Sequence, residues 1–431
     1  MSEDYRKMWE DLGLDLEAHD QLLAVIPQMY GDIYMSQQNR PEGMSYLDFV
    51  MSEIHGLRVK ELNDLREAGG KVVGAFCLYV PEEVVLAGGA ACVGICGGAD
   101  WGAAEAEKVL PRNLCPLIKS FMGFKLTKVC PYFESSDMIV GETTCDGKKK
   151  TYEVLGEYTN VHVMHTPQTK DEASRTLWLD EVKKFKETME ELTGNTIDAA
   201  ALARGVASVN AKRAALRRMN EARKASPVPI SGKDALLIEQ VAFYDDPLRF
   251  TQMINKVSDE LEQRIADGVG VAPEDAPRIL ISGCPMAIPN WKMHHIVEST
   301  GAIIVGEEAC IGHRYFRDMV DESPSDLDGE LAAVADRYMK LDCACFTPNK
   351  ERLDNITQLV KDYKVDGVIH YALQFCDPFT VEYNSVERTL KEAGVPVLRI
   401  ETDYSMEDAG QLSTRVEAFM ERIKEAQGAI V

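Results

Sequence analysis

The chain has 431 residues, and at roughly 150 residues per domain that allows two or three domains. It is 45% hydrophobic and 27% charged, with 47 Lys+Arg against 70 Asp+Glu, a formal net charge of −23. So acidic a balance argues against nucleic acid as a partner, which needs a basic face. No apolar run reaches the roughly eighteen residues of a membrane span. The opening MSEDYRKMWEDLGLDLEAHD is acidic and carries no secretory signal, so a cytoplasmic protein is expected.

In chain order, residues 1–65 read as a helical N-terminal segment whose last helix stops at Gly69-Gly70. Residues 66–170 then alternate strand and helix. KVVGAFC, ACVGICGG, DMIVGET and VHVMHTP are short Val/Ile-rich runs, and PEEVVLAGGA is a helix with Pro81 at its first position. This alternation predicts a parallel α/β sheet. Residues 171–276 change to a helical connector. Trp178, Val182, Phe185, Met189 and Leu192 repeat at spacings of 4, 3, 4 and 3, one face of a helix. A second helix runs from about Ile197 to Arg223, and a third starts at Asp246-Pro247 with Phe250, Ile254, Val257, Leu261 and Ile265 as its apolar stripe. Residues 277–431 return to α/β, with strands in RILISGC, GAIIVGEEAC, VDGVIHYALQFC and VPVLRIETD. The two α/β parts echo each other: KVVGAFCLYVPEEVVLAGGAACVG and RILISGCPMAIPNWKMHHIVESTGAIIVG both run strand, Cys, Pro, helix, Gly-Ala, strand, Gly. The fold class expected is two doubly wound, Rossmann-like or flavodoxin-like domains, with the site in a cleft outside their C-terminal strand ends.

Eleven cysteines stand out. A disulfide framework does not suit a large cytosolic chain. Cys77, Cys284, Cys310 and Cys376 each sit at or just beyond the end of a predicted strand, and Cys145 follows DMIVGET in the same way. Those ends share one edge of a parallel sheet. Cys115, Cys130 and Cys284 are each followed by Pro, which has no N–H and stiffens a loop that presents a thiolate. No CxxC pair exists, so a zinc ribbon or ferredoxin-type run is disfavoured, and soft thiolates gathered from distant loops suit an iron–sulfur cluster better than structural zinc. Cys77, Cys92 and Cys96 lie among Gly and Ala and are read as packing residues.

Other signals are weaker. There is neither a P-loop nor a GxGxxG after a strand, so any ATP is expected on another protein. Thr143-Thr144-Cys145-Asp146-Gly147-Lys148-Lys149-Lys150 reads as a turn into a helix N-terminus, its three lysines as a solvated face or an anion contact. His165, His294 and His295 read as ordinary surface or core histidines. His313 and Arg314, just after Cys310, are candidate side chains beside a cluster.

The segments LCPLIKSFMGF, MIVGETTCDGKKKTYE, GEEACIGHRYF, VDGVIHYALQFCDP, and IETDYS with GQLSTRVEAFME, resemble the 2-hydroxyacyl-CoA dehydratase and benzoyl-CoA reductase family over nearly the whole chain. Cysteines in KVCPYFE, ISGCPMAIPNWK and LDCACFTPNKERL make it similar to that family's double-cubane cluster proteins, which hold two 4Fe-4S cubanes joined by a bridging sulfide, an 8Fe-9S cluster. The resemblance implies six Cys ligands. Cys115, Cys145 and Cys376 match the family's common cluster positions; Cys130 and Cys284 are assigned to the second cubane, with Cys310 or Cys345 as its third ligand. Ala344 departs from the Cys-Pro-Cys that the family more often shows, which leaves the roles of Cys343 and Cys345 open.

The resemblance also implies a function: ATP-dependent, low-potential reduction of small unsaturated molecules at the cluster, in an anaerobic homodimer supplied by a dimeric ATP-hydrolysing iron–sulfur reductase of the activator or archerase type. That donor is expected to dock near Cys130, because FMGFKLTKVCPYF reads as partly exposed. The alternative is a 2-hydroxyacyl-CoA dehydratase subunit with a single 4Fe-4S cluster and a second, different subunit. A non-catalytic electron carrier is a third class.

Overall fold

The structure is a computed structural model that describes residues 5–95 and 97–428. Cys96, read as a packing residue, lies outside the described residues. Among the described residues eight strands form two sheets: β1 (Val72–Ala75), β2 (Ala91–Gly94), β3 (Met138–Glu142) and β4 (Val161–Met164) in the first; β5 (Arg278–Gly283), β6 (Ile303–Glu308), β7 (Gly367–Leu373) and β8 (Val397–Thr402) in the second. Every pairing is parallel. The orders are β2-β1-β3-β4 and β6-β5-β7-β8, the same winding twice. The echo read between the two halves is therefore a shared topology, and both match the flavodoxin-like 2-1-3-4 order. Every residue of β3, β5, β6 and β7 is buried, as expected for parallel strands covered on both faces.

The connector is helical. Helices Glu172–Thr193, Ala199–Ala222 and Pro247–Ala266 start at Asp171, Asp198 and Asp246, each accepting first-turn N–H groups on its side chain. Trp178, Val182, Phe185 and Met189 are fully buried, whereas Ile265, at the end of the third stripe, is 39% exposed. The short helix Gly232–Val241, which sequence periodicity does not single out, is buried at every position except Lys233. Helix Ala199–Ala222 and the residue after it tie the two α/β halves together. Arg213 bonds Glu83 of the first half at 2.6 Å, and Arg223 bonds Glu307 of the second at 2.6 and 2.8 Å. All four side chains are fully buried. One apolar core runs from Leu22 to Ile423, with a second cluster around Val228, Leu280 and Val368. Among the described residues no helix is long and apolar enough to cross a membrane.

Candidate functional site: a thiol-lined cavity

In each sheet the winding reverses at the strand pair β1/β3 or β5/β7, where such folds place their ligands. A cysteine follows each of these four strands: Cys77 after β1, Cys145 after β3, Cys284 after β5 and Cys376 after β7. All four line one cavity of about 1200 Å³, together with Cys92, Cys115, Cys310, Cys343 and Cys345.

Local backbone explains how several are presented. Cys115, Cys145 and Cys376 occupy the N-cap positions of helices Pro116–Thr127, Asp146–Leu155 and Asp377–Glu392. A helix N-terminus favours a thiolate there. The Cys145 sulfur accepts from the Lys148 N–H at 3.4 Å, and the Cys284 sulfur from the Leu373 N–H at 3.4 Å. Gly283 has φ +144, and a Cβ there would stand 1.9 Å from the Tyr371 carbonyl oxygen, so only glycine lets β5 end against β7 and turn Cys284 inward. Cys376 is set by a turn closed by its N–H on the Leu373 carbonyl at 3.1 Å, in which Phe375 takes a left-handed φ of 60.

The thiols fall into two groups. Cys115 and Cys376 hydrogen-bond each other, Cys376 also meets Cys284, and Cys145 stands within electrostatic reach of Cys115. In the second group Cys343 and Cys345 hydrogen-bond each other, and Cys77 and Cys310 both lie near Cys343. The bond to Cys376, then burial, holds the Cys115 thiol well above its ordinary range. Burial raises Cys310 to about 11. Cys343 is brought down to about 7, first by its bond from Cys345 and then by Arg314 and Lys148.

Cations compensate this concentration of acceptors. Lys148 was expected on a solvated lysine face; it is buried instead, paired to the buried Glu142 at the end of β3, while Lys149 remains outside. The helix turn that presents Cys145 carries Lys148 inward with it. Its ammonium favours the thiolates of Cys145 in one group and of Cys77, Cys310 and Cys343 in the other. Arg314 reaches the Cys310 sulfur at 3.6 Å and is held by Glu308 and Asp342. His313, its fellow candidate, points away, bonding the Tyr363 hydroxyl at 3.0 Å.

Of the seven candidate ligands, the structure brings Cys115, Cys145, Cys284, Cys310, Cys345 and Cys376 to this cavity. Cys130 is not in the lining. It stands at the N-cap position of the short helix Pro131–Glu134, and burial raises its thiol to about 11 against the lowering effect of the Phe133 and Tyr132 N–H groups. The segment around it is partly exposed, as expected: Lys128 is exposed and residues 125–127 are half-buried, while Phe121, Met122, Phe124, Val129, Tyr132 and Phe133 are buried as one face of the core helix and the turn after it. Cys284 stands with Cys376 rather than with a separate set. Cys77 and Cys343 join the second group; for Cys77, the place after a switch-point strand was the available signal, masked by its small neighbours.

Among the described residues no three His, Cys, Asp or Glu side chains close on one point as they do around a lone metal ion. Thiols spread around a cavity suit a larger, sulfur-bridged group, whose irons take one soft ligand each.

The family model described as "HGD-D: 2-hydroxyglutaryl-CoA dehydratase, D-component" matches residues 77–423. The chain is 41% identical over 363 residues to the Escherichia coli (strain K12) protein named "Putative dehydratase subunit YjiM", covering 84% of this chain and 93% of the relative. It is 24% identical over 367 residues to the (R)-phenyllactyl-CoA dehydratase beta subunit of Clostridium sporogenes, covering 84% and 94%. It is 22% identical over 349 residues to a benzoyl-CoA reductase subunit of Thauera aromatica, covering 79% and 87%. The chain belongs to the 2-hydroxyglutaryl-CoA dehydratase D-component family.

Proposed function

We propose that the chain is the catalytic component of a low-potential reductase, acting on small unsaturated molecules and holding an 8Fe-9S double-cubane cluster. The observation that carries this reading is the number and grouping of the thiols. A single cubane takes at most four Cys ligands, and this cavity presents one group of four, Cys115, Cys145, Cys284 and Cys376, beside another, Cys77, Cys310, Cys343 and Cys345. Three ligands from each group meet the need of two cubanes sharing a sulfide. Such a cluster supplies electrons one at a time at low potential. The chain's own contribution is to hold the sulfurs of Cys115, Cys145 and Cys376 at helix N-termini, to offset the thiolate charge with Lys148 and Arg314, and to enclose the ligands between two sheets.

No phosphate-binding loop occurs in the sequence, so the energy for low-potential electrons is assigned to a separate, dimeric, ATP-hydrolysing iron–sulfur reductase that serves a homodimer of this chain. The names of the relatives, dehydratase subunits among them, support a second reading: a 2-hydroxyacyl-CoA dehydratase subunit with one 4Fe-4S cluster and a different partner subunit. The test is turnover of acetylene and of a 2-hydroxyacyl-CoA by the purified chain with its reductase and dithionite, with and without ATP. ATP-dependent acetylene reduction by this chain and the reductase alone is the expected result. Dehydration that requires a further subunit would establish the second reading, and full reduction without ATP would remove the partner.

A further inference from the structure

Reduction consumes protons as well as electrons, and few groups in the cavity wall hold a proton away from bulk water. Of the charged lining residues, Asp146, Lys149, Lys350, Asp377 and Arg388 are exposed. Glu382 is engaged by Arg352 and Asn349, and Lys148 stands among the thiols with Glu142. Lys212 and Glu82 remain. Lys212 is 2% exposed, and its Nζ donates to Glu82 Oε1 at 2.6 Å and to the Ala242 carbonyl at 3.1 Å. The Tyr315 hydroxyl donates to Glu82 Oε2 at 2.8 Å, and the ammonium stands 5.3 Å from the Tyr315 ring centre.

This cluster lies beside a thiol that belongs to neither group of four. Cys92 is its neighbouring thiol and responds to Glu82, Lys212 and Glu83. Gly94, Gln240 and Phe243 line the cavity with it. A purely structural pair is already present one residue along, where Arg213 and Glu83 bond at 2.6 Å with neither side chain exposed, joining the same two helices. The Glu82–Lys212 pair differs from it by facing the cavity.

We propose that Lys212 is the proton donor to the substrate of this cavity, with Glu82 and Tyr315 as the groups that position it. The assignment rests on the reductase reading. Saturating one π bond takes two electrons, delivered singly by the low-potential iron–sulfur donor, and two protons. For each proton an N–H bond of Lys212 breaks as a C–H bond forms on the substrate, and the neutral amine regains a proton from water through the Glu82 carboxylate. The groups facing this ammonium are Glu82, Tyr315, Cys92 and the Ala242 carbonyl.

The test compares the full-length chain with Lys212→Met, Lys212→Arg and Glu82→Gln, assayed with the reductase partner. Iron content and ATP-dependent reduction without substrate should stay within about twofold of wild type. Turnover should fall at least about 100-fold in both Lys212 variants, because arginine keeps the charge and cannot release the proton. Glu82→Gln should lower kcat and displace its pH profile. Wild-type turnover in Lys212→Arg would overturn the proposal, as would loss of iron or of substrate-free reduction in the Lys212 variants. A second measurement is independent of the cluster: in the metal-free full chain, the small reagent methyl acetimidate should modify Lys212 while a bulky sulfonated ester does not. Protection from both would refute its place on the cavity wall. Failure of the wild type itself to turn over would defeat the reductase reading, a result separate from either.

Discussion

The buried pair Arg213–Glu83 gives a prediction whose size follows from the structure. Arg213 donates to Glu83 Oε1 at 2.6 Å and to the Tyr338 hydroxyl at 3.3 Å, and Tyr338 donates to Glu83 Oε2 at 2.8 Å. These residues come from the first α/β half, the connector and the second half, so the pair helps fix the walls of the cavity. Arg213→Met leaves a fully buried carboxylate with one hydroxyl as its side-chain partner. Breaking a buried pair in this way costs about 3–5 kcal/mol, a large share of the ~5–15 kcal/mol that stabilises a typical protein. The cost should depend on pH with a definite sign. In the wild type Glu83 is buried, yet the Arg213 and Arg337 guanidiniums hold its carboxyl below the usual carboxylate range. Its contribution is therefore present above the unfolded carboxyl pKa of about 4.3 and lost as pH falls through the lower folded value. Without Arg213, burial dominates and the folded pKa rises above the unfolded one. Stability is then retained below about pH 4.3 and lost as pH rises through the raised value. Urea unfolding at pH 5 and pH 8 should show the larger deficit at pH 8, and Arg213→Met with Glu83→Gln should recover most of it. A single variant within about 1 kcal/mol of wild type at pH 8 would refute the reasoning.

The other predictions concern the cavity. Cys145→Ser, Cys376→Ser and Cys77→Ser should each lose iron, because serine is a poor soft ligand, whereas Cys92→Ser and Cys130→Ser should retain it and cost on the order of 1 kcal/mol; iron assay with denaturation separates the classes. Gly98→Ala would place a Cβ 2.0 Å from the Ala287 carbonyl oxygen, where the first half meets the loop after Cys284. It should cost about 1–3 kcal/mol by overpacking and reduce iron loading; unchanged loading and melting would contradict the close approach. Phe375→Gly relieves the roughly 1–2 kcal/mol that a left-handed conformation costs a non-glycine residue, against about 1 kcal/mol of added chain entropy. Stability should stay within about 1 kcal/mol, and a loss above about 2 kcal/mol would show the ring packs in the fold.

The strands were legible because β3, β5, β6 and β7 are continuous apolar runs buried on both faces, and because a parallel sheet puts each following cysteine at the same edge. Boundaries moved where local signals mislead. Helix Asp377–Glu392 starts directly after Cys376, eight residues before the SVERTLKEAG run that announces it. Helix Pro116–Thr127 lacks a polar face, since almost every residue from Pro116 to Phe124 is buried, and so gave no amphipathic period. In the site, positions after strands carried the information for Cys145, Cys284, Cys310 and Cys376. The Cys-Pro motif did not separate Cys115, which faces the cavity, from Cys130, which does not. Lys148 and Lys212 were hidden for a different reason. Their neighbours in sequence are solvated lysines and alanines, and only the fold brings Glu142 and Glu82 to them.

The most direct test of the account is iron and acid-labile sulfide per chain after anaerobic purification. The account predicts about eight irons with inorganic sulfide, matching two bridged cubanes. About four irons would contradict it in favour of a single cubane, and zinc with no iron after anaerobic reconstitution would contradict any cluster at this site.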